Sequence, residues 1–345
     1  MYQTPSDRQV AAPAYPVRPA RGAVRPMVRN TTAATVGRRP HDTRPTQSPW
    51  RTGRTPTADT LLTRMDTTTT DQSRAPVPTP RPPQRFGIVT PTLDAERYLA
   101  ATLRSIWAQA SDEIEIDHVL VDGGSSDGTT AVAEGFPTRV VVATDDRGMY
   151  DAVNRGLSMV EGDIVGYINA DDEIPPGALA AVAQAFRDHP EARWLMGKRE
   201  FIDGDGHAFA WMQPVPFTLR SYLGLGWSCV PQETVWMRRD LFDEVGPFDT
   251  TFRNTGDYDM YARCRRVAEP LILQRTLGRF RLHGEQLSFK PDVMARESRR
   301  VQEKNGTVDR LGWVRGRLLS LRLNSRNPRW LIAKKTGRIR FVHED

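Results

Sequence analysis

Cysteine is almost missing from this sequence of 345 residues, with Cys229 and Cys264 the whole supply. Two thiols cannot build a disulfide framework, and so small a number suits a reducing compartment such as the cytoplasm. No apolar run reaches the roughly 18 residues that a membrane-spanning helix requires, so none is expected. The first 85 residues contain no lysine, 5 acids and 14 arginines, and they lack the continuous apolar core of a secretory signal. No glycine fingerprint follows the first apolar run, which disfavours dinucleotide-dependent dehydrogenase chemistry.

What is present is unevenly spread. Residues 1–85 are crowded with Pro, Thr and Arg, as in "RTGRTPTADTLLTRMDTTTTDQSRAPVPTPRPPQRF". Such a segment cannot bury enough apolar surface to offset its ordering entropy, so a disordered leader is expected there. Residues 290–345 carry 15 Lys and Arg against 6 acids, and read as basic amphipathic helices. The stretch 86–289 between them holds 19 basic and 31 acidic residues, so the net charge of +6 belongs to the two ends.

From Phe86 short apolar runs alternate with helical stretches, the rhythm of a sheet with crossover helices. "FGIVTPT", "IEIDHVLVD", "RVVVATD" and "DIVGYIN" read as strands. "DAERYLAATLRSIWAQ", "SSDGTTAVAEGF", "GMYDAVNRGLSMV" and "PPGALAAVAQAF" read as helices. Further on, "WLMGKREFIDGDGHAFAWM" suggests a hairpin, "RRDLFDEVG" and "GDYDMYARCRRV" helices, and "PLILQRTLGRFRLH" a strand. In an open sheet of this kind ligands bind beyond the carboxyl ends of the parallel strands. Three strands here end in polar or acidic groups: the first in Thr90, Pro91 and Thr92, the second in Asp122, the fourth in Asn169, Asp171 and Asp172. Carboxylates at the end of a buried strand are costly to desolvate, and a divalent cation or a helix N-terminus would offset the cost.

Five blocks, "IVTPTLDAERYLAATLRSIWAQ", "VLVDGGSSDGT", "DRGMYDAVNRG", "YINADDE" and "GDYDMYARCRR", resemble in order and separation the family 2 glycosyltransferases of the GT-A fold, over about residues 86–289. The second and third blocks look most like the bacterial branch that builds exopolysaccharide and colanic-acid-type repeat units. The resemblance implies a Rossmann-like mixed α/β sheet flanked by helices. It also implies transfer of a sugar, with inversion, from a UDP- or GDP-sugar to a hydroxyl acceptor, lipid-linked in many relatives, for cell-surface polysaccharide or glycolipid. Thr90, Pro91, Thr92 and Asp122 then hold base and ribose, and Tyr150, Asp151 and Asn154, on the helix after the third strand, help fix the nucleotide or else pack that helix. Asn169, Asp171 and Asp172 match the DXD motif, with Asp171 and Asp172 as ligands of Mg2+ or Mn2+. Asp257 matches the catalytic base, with Gly256 where the family commonly has Glu and Gly123 where many relatives have a second Asp. His283 sits where several relatives place a histidine near the site, and Gln232 and Glu233 fall on the acceptor side.

Each acid also has a plainer role. Asp171 and Asp172 would cap the helix near Pro175, Asp122 would close an Asx turn, and Asp259 competes with Asp257 or pairs with Arg263 one turn on. Trp227 and Trp236 suit the core. Two other readings use the same residues: a nucleotidyl- or phosphoryl-transferring α/β enzyme, and a non-catalytic nucleotide-sugar sensor or scaffold. The tail, rich in Arg with interleaved Leu and Trp, has the composition of a helix lying on an anionic membrane, at the inner face of the cell membrane. Nucleic acid is not an expected partner, since no reading element accompanies the charge.

Overall fold

The computed structural model describes residues 82–283, 291–306 and 308–336, all within a compact unit spanning 75–345. The leader expected over 1–85 lies outside the described residues except for its last four positions.

Among the described residues, eight strands make one mixed sheet: β1 (Gln84–Thr92), β2 (Ile114–Asp122), β3 (Arg139–Val142), β4 (Ile164–Tyr167), β5 (Trp194–Ile202), β6 (Ala208–Met212), β7 (Trp236–Arg238) and β8 (Leu271–Arg281). Their order is β3-β2-β1-β4-β7-β5-β6, with β8 paired to β5. The first four strands are parallel, so Thr92 stands opposite Asp122, and Val89 opposite Tyr167. The acid-bearing ends therefore converge on one edge, as their sequence positions predict. Beyond β4 the sheet turns mixed, because β7 runs antiparallel to both β4 and β5.

The helices are α1 (Glu96–Trp107), α2 (Thr129–Ala133), α3 (Met149–Met159), α4 (Ala178–Asp188), α5 (Leu219–Leu225), α6 (Arg239–Val245), α7 (Gly256–Val267), α8 (Pro291–Asn305), α9 (Arg310–Arg326) and α10 (Pro328–Lys335). Side chains of a strand alternate between faces, and both faces of this sheet are covered. Ile88, Leu120, Ile164 and Leu195 point to one core, with Leu99, Leu103 and Ile106 of α1 and Leu179, Val182 and Phe186 of α4. Their neighbours Val89, Val121, Val165 and Met196 point to the other, with Val153 and Leu157 of α3 and Tyr258 and Tyr261 of α7. That second core also takes Val301, Leu319, Leu323 and Trp330, so the C-terminal helices complete the same body as the sheet.

The first two strand ends are stitched together by the "DGGSSDGT" turn. Asp94, with φ 47°, accepts the Ser126 N–H at 2.8 Å, and Glu96 accepts the Gly128 N–H at 2.9 Å. In return the Asp94 N–H donates to Ser125 Oγ at 2.9 Å and the Ala95 N–H to Thr129 Oγ1 at 2.8 Å. Four bonds between loops some thirty residues apart give the cavity a fixed rim.

Candidate active site

A cavity of about 1410 Å³ opens at the carboxyl edge of the parallel strands. Pro91, Thr92, Asn169, Asp171 and Asp257 line it together with Arg199, Trp227, Gln232 and His283. Residues drawn from β1, the β4 end, β5, α7 and the β8 end thus share one space. The remaining sequence candidates stand behind its wall. Thr90 is fully buried and hydrogen-bonded to His118 Nε2 at 2.9 Å. Asn154 ties α3 to the loop before α7 through the Phe248 carbonyl and N–H, both at 2.8 Å.

Asp122 is 1% exposed, and its oxygens accept from Thr92 Oγ1 at 3.1 Å, the Gly124 N–H at 3.1 Å and the Ser125 N–H at 2.9 Å. It forms the Asx-type turn, while its neighbours Thr92 and Gly123 face the cavity.

The β4 end is gripped from β8. The Arg281 backbone N–H donates to Asp172 Oδ1 at 3.0 Å, its Nε to the Asp171 carbonyl at 2.9 Å, and its other arm to Glu173. Asp172 is fully buried, and burial, with the Asp171 and Glu233 charges beside it, pushes its carboxyl well above the usual range. Asp171 instead faces the cavity, with Oδ2 2.9 Å from His283 Nε2. Neither acid caps α4, whose N-cap is Gly177 with no side-chain bond. Asn169 donates to Gln232 Oε1 at 3.2 Å, yet its own Oδ1 is buried without a hydrogen-bond partner. A buried acceptor left unpaired costs about 1–3 kcal/mol, so this oxygen is suited to a cation or donor from a bound ligand. Asp171 Oδ2, beside His283 Nε2, and the unpaired Asn169 Oδ1 are each oxygen donors of the kind that Mg2+ or Mn2+ takes. Among the described residues, the one cluster of three potential metal ligands lies elsewhere, at half-buried Asp203 and exposed Asp205 and His207 of the β5–β6 turn.

Asp257 opens α7 and carries the opposite chemistry. Burial lifts its carboxyl from 3.8 to about 6, against the Tyr258 N–H, the Arg199 charge and the Tyr150 hydroxyl, which all pull it down. Tyr258 N–H donates to Oδ1 at 2.8 Å, and Tyr150 Oη donates to the same atom at 3.4 Å. Oδ2 accepts from none of the described residues. Tyr150 Oη also accepts the Asp257 N–H at 3.2 Å, and its ring stacks on Phe248 with centroids 5.4 Å apart. Tyr150 explains Gly256, since a Cβ there would fall 2.6 Å from the Tyr150 ring. Asp259 takes the structural role open to it: it is buried and pairs with Arg263 at 2.9 Å and Lys304 at 3.0 Å.

Two supports have no sequence signal of their own. Glu297 of α8, 6% exposed, accepts the N–H groups of Arg253 and Asn254 at 2.9 Å and of Thr255 at 3.1 Å, bracing the loop that delivers Asp257. Arg199 of β5 is paired with Glu233 through Nε to Oε1 at 2.5 Å, and stacks 4.5 Å over Phe280. Its charge favours the ionised forms of both Asp257 and Asp172.

A half-parallel mixed sheet flanked by helices, with polar strand ends around one cavity, is the GT-A fold. Staphylococcus aureus TarS residues 1–349 superimpose with a TM-score of 0.54 at 18% identity, covering 72% of this chain and 79% of that one. The same protein with UDP-GlcNAc also gives 0.54, at 20% identity, covering 64% of this chain and 66% of that one. The "Glycosyl transferase family 2" model matches residues 87–246. A PGL/p-HBAD biosynthesis glycosyltransferase of Mycobacterium bovis is 32% identical over 196 residues, 55% of this chain and 72% of that protein. An uncharacterized glycosyltransferase of Mycobacterium tuberculosis is 26% identical over 208 residues, 59% of this chain and 77% of its own. The chain belongs to glycosyl transferase family 2.

Proposed function

We infer that this glycosyltransferase moves a sugar, with inversion, from a UDP- or GDP-sugar to a hydroxyl acceptor. The observation that carries the reading is that Asp257, with a carboxyl near 6, and Asp171, beside His283, line one cavity. Inversion needs a base on the sugar face opposite the departing diphosphate. A base whose affinity for protons lies close to neutrality is both ionised and effective there. Asp257 Oδ2 takes the acceptor proton, while the Tyr258 N–H and Tyr150 hydroxyl hold Oδ1 in place. Asp171, Asn169 and His283 would hold Mg2+ or Mn2+, which when bound stabilises the charge gathering on the leaving diphosphate. Asp172 and Arg281 set the backbone that presents Asp171. Pro91, Thr92 and Gly123 border the space for the nucleoside, with Asp122 shaping the turn beneath it.

The cavity also has an apolar portion, formed by Trp227, Val293, Met294, Leu321 and Trp330. An acceptor with an apolar moiety fits it, in keeping with the Mycobacterium bovis relative's name, and we place the chain in cell-surface glycolipid or polysaccharide assembly. The two cysteines are free and buried, which suits work at the cytoplasmic side.

A panel of UDP- and GDP-sugars, with and without Mn2+, tests the reading by nucleotide release and donor-induced thermal shift. One donor should shift and react. Asp257→Asn should keep the shift and lose about 10²- to 10⁴-fold in transfer. A panel in which no donor shifts or reacts overturns the reading, as does full turnover by Asp257→Asn.

A further inference from the structure

Helix α9 is apolar on two opposite sides, and only one of them is used. Gly312, Gly316, Leu319 and Leu323 recur at three- and four-residue steps, are buried, and pack against α5. Leu311, Val314, Leu318 and Leu321 recur with the same steps on the far side, where they are 44–65% exposed. Helical geometry sets exposed Arg310 and Arg317 along one margin of this strip and exposed Arg315 and Arg322 along the other. Trp313, 54% exposed, lies beneath the Arg317 guanidinium at 4.9 Å. Residues 310–336 contain eight Lys and Arg and no acid.

A solvent-facing helix normally turns charge outward. Here a row of leucines is kept in water, edged by cations and a tryptophan. That pattern matches a helix lying flat at a lipid boundary, apolar side chains in the acyl region and guanidinium groups at the headgroups. It offers nothing to a cationic or neutral hydrophilic partner. We propose that the Leu311–Val314–Leu318–Leu321 strip docks the protein on an anionic lipid bilayer. Leu321 and Arg317 also line the catalytic cavity, so docking brings the cavity mouth to the membrane surface, where an acceptor with an apolar moiety resides. The docking holds whatever the donor is, and its test does not depend on turnover.

The experiment sediments the full-length protein with vesicles of phosphatidylcholine containing phosphatidylglycerol, and with phosphatidylcholine alone. The wild type should bind the anionic vesicles and release in high salt, because each arginine near such a surface contributes about a fivefold gain in binding. Arg315→Gln/Arg322→Gln should weaken binding accordingly, and Val314→Glu/Leu318→Glu by about tenfold or more, the transfer cost of two large side chains. Both pairs lie outside the cavity, so melting temperature and nucleotide release should stay at the wild-type level. The proposal is overturned if wild type remains in the supernatant. It is equally overturned if both variants sediment as fully as wild type, or if Val314→Glu/Leu318→Glu instead dissolves a dimer seen by light scattering and leaves vesicle binding intact.

Discussion

Asp257 is held in a setting that favours its neutral form, although the proposed chemistry needs its charge. Its folded-state value of about 6 exceeds the ordinary 3.8, so the folded protein binds this proton more tightly than the unfolded chain does. The linked stability is fully present below about pH 4 and is lost as the pH rises through 6. Asp257→Asn removes the charge at every pH and keeps an oxygen for the Tyr258 N–H. We expect the variant to be more stable than wild type at pH 8, by up to about 3 kcal/mol at 1.36 kcal/mol per pH unit, and to match it near pH 4. Urea unfolding at pH 4, 6 and 8 checks this. A constant difference across that range would show that burial does not set this carboxyl. Asp257 itself was readable in the sequence through its family block. The contact of Tyr150 with it, 107 residues away, and the hold of Glu297 on the loop just before it, from 42 to 44 residues away, were not, because such distances leave no spacing to read.

Helices α5 and α9 cross with almost no side chain between them. A Cβ on Gly224 would fall 1.9 Å from the Gly312 carbonyl oxygen, and one on Gly316 would fall 2.1 Å from the Gly224 carbonyl carbon. Backbone cannot yield as a flexible side chain can, so Gly316→Ala must force the helices apart. Overpacking of this kind costs about 1–3 kcal/mol. Thermal melts should show the loss, and protease should cut within α9 sooner than in wild type; an unchanged cleavage pattern would mean the crossing tolerates separation. Clear apolar runs and helix periods decided what could be foreseen. Strands β1, β2 and β4, crossover helices α1, α3 and α4, and the β5–β6 hairpin announce themselves as apolar runs or periodic stretches. The single turn Gln232–Thr234 and three-residue β7 are too short for a period, yet β7 turns the sheet from parallel to mixed and the turn brings Gln232 to Asn169. The Asp122 turn was legible as chemistry, but whether its carboxylate faced a ligand or its own backbone depended on hydrogen bonds that spacing cannot encode.

Over the whole molecule, the basic segment after residue 290 reads in sequence as an extension with its own composition. In the fold, α8, α9 and α10 close the second core with Val301, Leu319, Leu323 and Trp330 and wall the cavity with Met294, Ser298 and Asn324. A chain that stops at residue 289 keeps all five family blocks but uncovers those apolar contacts. It should lose cooperative thermal unfolding and precipitate, as followed by circular dichroism and solubility. A soluble fragment with a wild-type transition would show the sheet to be self-sufficient. Charge follows the same division: acids gather around the strand ends and bases along the outer helix.

The Glu297 brace also orders events in time. During synthesis the ribosome finishes the stretch that carries Asp257 well before it reaches the carboxylate that steadies the loop ahead of it. A nascent chain can thus hold every motif of the centre and still have its base unset until α8 emerges and docks, so competence arrives late, together with the helices that close the body of the enzyme.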